Sequence, residues 1–229
     1  MVKILLILLL IFTNVYALED SNIVRTHSTN VTHVMPDGKI KRIVVAREAH
    51  KDCAKTTFDA REFWGGNYAS RDVAEHCKAT YIKNAGKISP IKIDKDIITF
   101  GELEVLKYIK DMQNNKKMLF VDSRKPSWFK RGTIPSAVNI PFTYFTNQKY
   151  AKYKKDALRY FGVKQTDNGY DFSHARTILF FCNGIWCGQS PEMIKALISL
   201  GYPTDKMKWY RGGLQNWTSV GMTTTKTAQ

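Results

Sequence analysis

Two cysteines separated by four residues carry the first chemical signal in this chain. In TILFFCNGIWCGQSP, residues 177–191, an apolar run ends abruptly in Cys182, a short glycine-containing loop holds Cys187, and Ser190-Pro191 opens a helical pattern. A buried strand delivers such a cysteine to the edge of a sheet, where loop N–H groups converge and the following helix adds the positive end of its dipole. These groups lower a thiol's pKa and hold a thiolate, a persulfide or an oxyanion. Cys182 is therefore the leading nucleophile. A thiolate needs no separate base, so His174, just before the strand, reads as a core or capping residue.

Cys187 has three readings. It is a resolving thiol that attacks a Cys182 persulfide or closes a Cys182–Cys187 disulfide, a residue that shapes the donor site, or an inert core cysteine. Trp186 and Trp209 read as walls of a pocket or core, with binding as the alternative for Trp186. The other two cysteines, Cys53 and Cys77, lie in a poorly patterned stretch that also holds His50 and His76. Zinc accepts those ligand types, but His-x2-Cys followed by an adjacent His-Cys pair is not a chelating spacing, and no metal or other cofactor is assigned. A structural disulfide between Cys53 and Cys77 would restrict the unfolded chain, and two packed thiols are the alternative.

The elements that must position Cys182 follow from periodicity and punctuation. Two β-rich runs flank Pro36-Asp37-Gly38, a hairpin signal. The polar residues 18–32 before them read as a leader. Ile97-Ile98 predicts a short strand, Thr99 with Glu102 a capping box, and Leu103, Leu106 and Ile109 the apolar face of the helix it starts. Met118 to Val121 closes on Asp122, Ser123 and Arg124, a buried parallel strand with polar residues at the carboxyl end, where sites in open sheets collect. A short strand is expected near Ala137 to Ile140, helical spacing over 142–162, and a turn-rich insert at 165–172. Pro191 at the first helical position and Gly201 past the end bracket a helix whose Met193, Ile194, Leu197 and Leu200 face the sheet. Met207 to Tyr210 is a strand and Leu214 to Val220 a final helix. Alternating strands and helices predict an α/β fold with a mostly parallel sheet covered on both faces.

In order, the motifs VDSR, RGTIPSAVNIP, ILFFC and WYRGGLQNW resemble the rhodanese domain over roughly residues 90–222. The resemblance implies about five strands and a loop cysteine, here Cys182, that accepts a sulfane sulfur and passes it to a nucleophile. It implies that the amides of Asn183, Gly184, Ile185, Trp186 and Gly188 hold the outer sulfur or an anionic donor. It also implies that Asp122 and Arg124 pair to fix the loop after their strand. The loop departs from many active members in having Cys187 late in the loop and no cationic side chain, which leaves Arg211, at a neighbouring strand end, as the nearest cation. Phosphatases of this fold need an Arg where this chain has Gly188, so nothing would clamp a transferred phosphoryl group.

The sequence of 229 residues carries 35 Lys and Arg against 20 Asp and Glu, a formal net charge of +15. Residues 1–17 combine Lys3, an apolar run from Ile4 to Phe12 and the small-residue end Val15-Tyr16-Ala17, which predicts a bacterial secretory signal and a periplasmic protein. An uncleaved signal would be its membrane contact. Export argues against nucleic acid as partner, the basic field pulls on small anions, and the resemblance implies a small anionic sulfur donor with a thiol or protein acceptor. The expected organisation is a signal at 1–17, an extension at 18–89, the rhodanese-like domain at 90–222 and a tail at 223–229. Thiol–disulfide exchange through Cys182 and Cys187, and a non-catalytic binding module on the same scaffold, are the competing functions.

Overall fold

The computed structural model describes residues 22–34, 40–51, 87–219, 222, 224 and 225. They belong to two compact units, residues 1–51 and 52–229. In the first, β1 (Ile23–Val34) and β2 (Ile40–His50) pair antiparallel from Ile23 opposite His50 to Val34 opposite Ile40, with a register shift between Thr26 and Thr29. Strand β1 thus occupies most of the stretch read as a leader. Its Val24, Thr26, Thr29, Val31 and Thr32 are β-branched residues that suit a strand, and the polarity between them concealed it. The signal segment, the Pro36-Asp37-Gly38 turn, Cys53, His76 and Cys77 lie outside the described residues.

The second unit runs β3 (Ile98–Phe100), α1 (Glu102–Met112), β4 (Met118–Asp122), α2 (Pro126–Phe129), β5 (Val138–Asn139), α3 (Thr143–Thr146), α4 (Lys154–Tyr160), β6 (Lys164–Thr166), β7 (Gly169–Asp171), β8 (Thr177–Phe181), α5 (Gln189–Ser199), β9 (Met207–Tyr210) and α6 (Gly213–Ser219). Five strands form a parallel sheet in the order β3-β9-β8-β4-β5. The insert at 165–172 folds as a small antiparallel hairpin of β6 and β7.

Period-two alternation along the central strands builds two cores. Leu119, Val121, Ile178, Phe180, Met207 and Trp209 join one apolar cluster with Leu158, Met193, Ile194 and Leu197, which come from α4 and α5. Their sequence neighbours Phe120, Leu179, Phe181 and Tyr210 join a second cluster with Val105 and Tyr108 of α1 and Leu214 and Trp217 of α6. Fully burying each large apolar side chain contributes about 1.5–3 kcal/mol, so the sheet is held from both faces.

Helix α1 corrects the predicted start and face. Its N-cap is Gly101, whose N–H donates to Glu104 Oε2 at 3.0 Å. Thr99 lies in β3, its hydroxyl donating to the Ile91 carbonyl, and Glu102 accepts from Tyr210 Oη. Val105 and Tyr108 are buried while Leu103 and Leu106 are exposed. The stripe facing the sheet is buried Val105 and Tyr108 with partly buried Ile109 and Met112, a complete i, i+3, i+4, i+7 set. Helix α5 starts at Gln189, with Gly188 as N-cap. Pro191 is its third residue, still within the turn whose N–H groups lack intrahelical partners.

Candidate active site

Cys182 follows directly on β8, the central strand, with β4 and β9 on either side. Asp122 lies opposite Phe181, and Phe181 opposite Tyr210, so the carboxyl ends of the three strands are level. Ser123 N donates to Phe181 O at 3.0 Å, extending the ladder to the residue beside Cys182. The sheet therefore presents Cys182 where side chains from neighbouring strand ends meet.

The loop after Cys182 is drawn against the amino end of α6. Leu214 N donates to Cys182 O at 3.0 Å and Gln215 N to Asn183 O at 2.8 Å. This closeness requires Gly213: its φ is +60°, and a Cβ there would lie 2.5 Å from Cys182 O and 2.7 Å from Gly184 N. Gly184 is confined by side chains, because a Cβ would meet the bond between Trp186 Nε1 and Gln215 Oε1, which spans 2.6 Å. Trp186 is buried and is a wall of the loop. Within the loop, Cys187 N donates to Gly184 O at 2.9 Å, which folds the two cysteines toward one another.

Both cysteines are free thiols, Cys182 2 % and Cys187 3 % exposed. Burial by itself pushes the Cys182 thiol up. Hydrogen bonds from the Cys187 thiol, the Ser190 hydroxyl and the amides of Ser190 and Gly184 overcome it, and the Cys182 pKa falls below its ordinary value. Ser190 Oγ lies 3.1 Å from Cys182 Sγ. When protonated, Cys182 donates instead to Cys187 O at 3.3 Å. Cys187 moves the opposite way: burial and the neighbouring Cys182 sulfur push its pKa well up, against the amides of Asn183 and Gln189. Cys182 is thus the more readily ionised of the two thiols. Asn183 Nδ2 approaches Cys187 Sγ at 3.6 Å.

Asp122 and Arg124 are buried as a closed pair. Arg124 Nη2 is 2.6 Å from Asp122 Oδ2 and also donates to Gly132 O at 2.7 Å, while Thr133 Oγ1 donates to the same carboxylate at 2.7 Å. Asn139 Nδ2 ties down the carbonyls of Asp122 and Arg124. These groups fix the loop after β4 and are spent on one another. Arg211, half-buried at the end of β9, donates from Nε to Ser89 O at 2.9 Å, and Ser89 N donates to Ile185 O at 2.8 Å. The guanidinium thus reaches the cysteine loop through the backbone of Ser89. Gly188 is exposed at the helix start, beside the Glu192 carboxylate rather than a cation.

Sequence reasoning missed Ser190, Trp209 as its partner, Ser89 and Gln215. Ser190 was read only as part of a helix opening, and Trp209, Gln215 and Ser89 meet their partners across 19 residues or more. His174 is exposed and Trp209 is buried in the core. Among the described residues no cluster of three or more His, Cys, Asp or Glu could hold a metal ion, and no helix is long and apolar enough to cross a membrane.

Residues 105–220 match the family described as Rhodanese-like domain. No curated protein matches the chain. Solved structures similar to it include a full-length protein from Lactobacillus plantarum, 16 % identical, covering 57 % of this chain and 87 % of that one with a TM-score of 0.37. The rhodanese-like domain of an Anabaena sp. protein is 18 % identical, covering 58 % and 80 %, with a TM-score of 0.36. A thiosulfate sulfurtransferase from Pseudomonas aeruginosa is 13 % identical, covering 61 % of this chain and 22 % of that one, with a TM-score of 0.39.

Proposed function

The chain belongs to the rhodanese-like domain family, and from that premise we propose that it is a sulfurtransferase that moves sulfane sulfur through a persulfide on Cys182. The observation that carries this reading is the set of donors around one sulfur: the Ser190 hydroxyl 3.1 Å from Cys182 Sγ, the Cys187 thiol and two amides, which favour the Cys182 thiolate. In the first half-reaction that thiolate attacks the outer sulfur of an anionic donor such as thiosulfate. A Cys182–sulfur bond forms, the donor's sulfur–sulfur bond breaks, and sulfite leaves with the electron pair. In the second, an acceptor thiolate attacks the outer sulfur and Cys182 leaves as the thiolate. The loop amides and the amino end of α5 stand in for the cation that the loop lacks.

The secretory leader read in residues 1–17 supports a periplasmic setting for this activity, and the basic composition suits small anionic donors. Thiol–disulfide exchange is the second reading, favoured by two buried free thiols on one short loop that the Cys187 N–Gly184 O bond folds back on itself. Intact mass after incubation with thiosulfate or polysulfide tests the first. Wild type gains one sulfur atom, and a Cys182→Ala protein that gains it as readily refutes the proposal. Alkylation across a wide range of redox buffers tests the second, which fails if Cys182 and Cys187 never bridge.

A further inference from the structure

The Ser190 hydroxyl is held between a group that can only donate and a sulfur that can accept. Trp209 Nε1 is 3.2 Å from Ser190 Oγ, and an indole nitrogen has a proton to give and no lone pair to offer. Accepting that hydrogen bond, Ser190 turns its own proton toward Cys182 Sγ, 3.1 Å away. Trp209, Ser190 and Cys182 are 1 %, 0 % and 2 % exposed, so the chain of donors is closed to water. Helix α5 sets Ser190 and strand β9 sets Trp209, and the direction of the bond is built into two rigid elements.

Resting on the sulfurtransferase reading above, we infer that this Trp209–Ser190 relay chiefly serves the second half-reaction, stabilising Cys182 as the thiolate that departs when sulfur is delivered. Charge leaves Cys182 Sγ during attack on the donor, so a hydrogen bond to it weakens on the way to that transition state. During delivery the acceptor thiolate bonds to the outer sulfur, the bond to Cys182 breaks, and the electron pair returns to Sγ. The Ser190 bond then strengthens as the reaction proceeds, which is the condition for catalysis. Ser190 touches the reacting sulfur, and Trp209 is a positioning residue that acts through it.

The two halves therefore respond oppositely to loss of the hydroxyl. Removing a hydrogen bond to a charged group raises the thiol pKa by about one unit. A thiolate of higher pKa is the better nucleophile and the poorer leaving group. In full-length Ser190→Ala, above both thiol pKa values, sulfur loading from thiosulfate should become roughly threefold faster and delivery to excess glutathione roughly threefold slower. Trp209→Phe keeps an aromatic ring and the hydroxyl but frees its direction, so the same changes should appear at smaller size.

Thiolate absorbance, read as the difference from Cys182→Ala, gives the pKa, and single-turnover mixing gives the two rates. If Ser190→Ala does not fold, Trp209→Phe decides. An unmoved pKa, or loading and delivery slowed together, overturns the relay. A raised pKa in a protein that never takes up sulfur supports the hydrogen-bond chain and overturns the sulfur-transfer reading instead.

Discussion

Replacing Gly213 by Ala should damage the reaction far more than the loss of stability alone explains. The position has φ +60°, and an added Cβ meets Cys182 O at 2.5 Å, Gly184 N at 2.7 Å and the Asn183 carbonyl carbon at 2.8 Å. Left-handed backbone costs a non-glycine residue about 1–2 kcal/mol, and overpacking typically adds about 1–3 kcal/mol. A total near 3 kcal/mol corresponds to a fall in Tm of roughly 10 °C for a domain of this size. Ordinary contact begins at 3.4 Å, so the cysteine loop and α6 must separate by up to roughly 0.9 Å. A displacement of that order at a reacting atom costs about a hundredfold in rate.

Gly162→Ala is the matched comparison. Its φ is +82° and its Cβ would crowd the His174 carbonyl even more closely. Yet Arg176 N, which bonds Phe161 O beside it, lies just before β8, at the opposite end of the strand from Cys182. Thermal unfolding should fall similarly in both variants. Sulfur loading per folded molecule, measured well below either Tm, should collapse only in Gly213→Ala. A Gly213→Ala protein that loads sulfur at the wild-type rate would refute the claim that α6 fixes the reactive sulfur.

Cys187→Ala removes a hydrogen bond that lowers the Cys182 pKa, so the midpoint of the loading rate against pH should move upward by about one unit; an unmoved or lowered midpoint excludes this role. Asp122→Asn leaves the buried Arg124 without its counter-charge and should cost about 3–5 kcal/mol in urea unfolding, whereas a loss under 1 kcal/mol would mean that the pair is dispensable. Buried Tyr108, Tyr202 and Tyr210 all have raised pKa values, chiefly from burial. The folded protein keeps these protons while the unfolded chain loses them near pH 10, so stability should fall as pH rises above that point. The loss is up to about 1.4 kcal/mol per tyrosine per pH unit, and urea midpoints that stay flat from pH 9 to 11 would contradict it.

The central unit was legible because its signals are local and agree. The apolar run into Cys182, the glycines after it and the periodic α5 each indicate strand, loop and helix. Helix α1 misled because two apolar stripes share it: Leu103 and Leu106 look more hydrophobic than Tyr108, yet Tyr108 is buried with its hydroxyl bonded to Leu119 O and Thr177 O. Burial there is decided by the sheet beneath the helix, which local pattern does not encode. Strand β1 was hidden by its polar residues, since a two-stranded hairpin needs no continuous apolar face in the sequence. The support around Cys182 was hidden for a different reason. Ser190 became legible only with Trp209, and Ile185 with Ser89, pairs that meet through the fold.

The Ser89 contact sets the smallest functional piece apart from the smallest piece that folds. A chain trimmed to begin at residue 90 would retain all five strands and both cores. It would leave Ile185 O and Arg211 Nε without the partners they have here, and a chain cut to the family-matched residues 105–220 would also lose β3 and the buried Ile97. The backbone of Ser89 joins the Ile185 carbonyl of the cysteine loop to the Arg211 guanidinium, so a piece long enough to fold is still too short to keep this tie on the reactive loop.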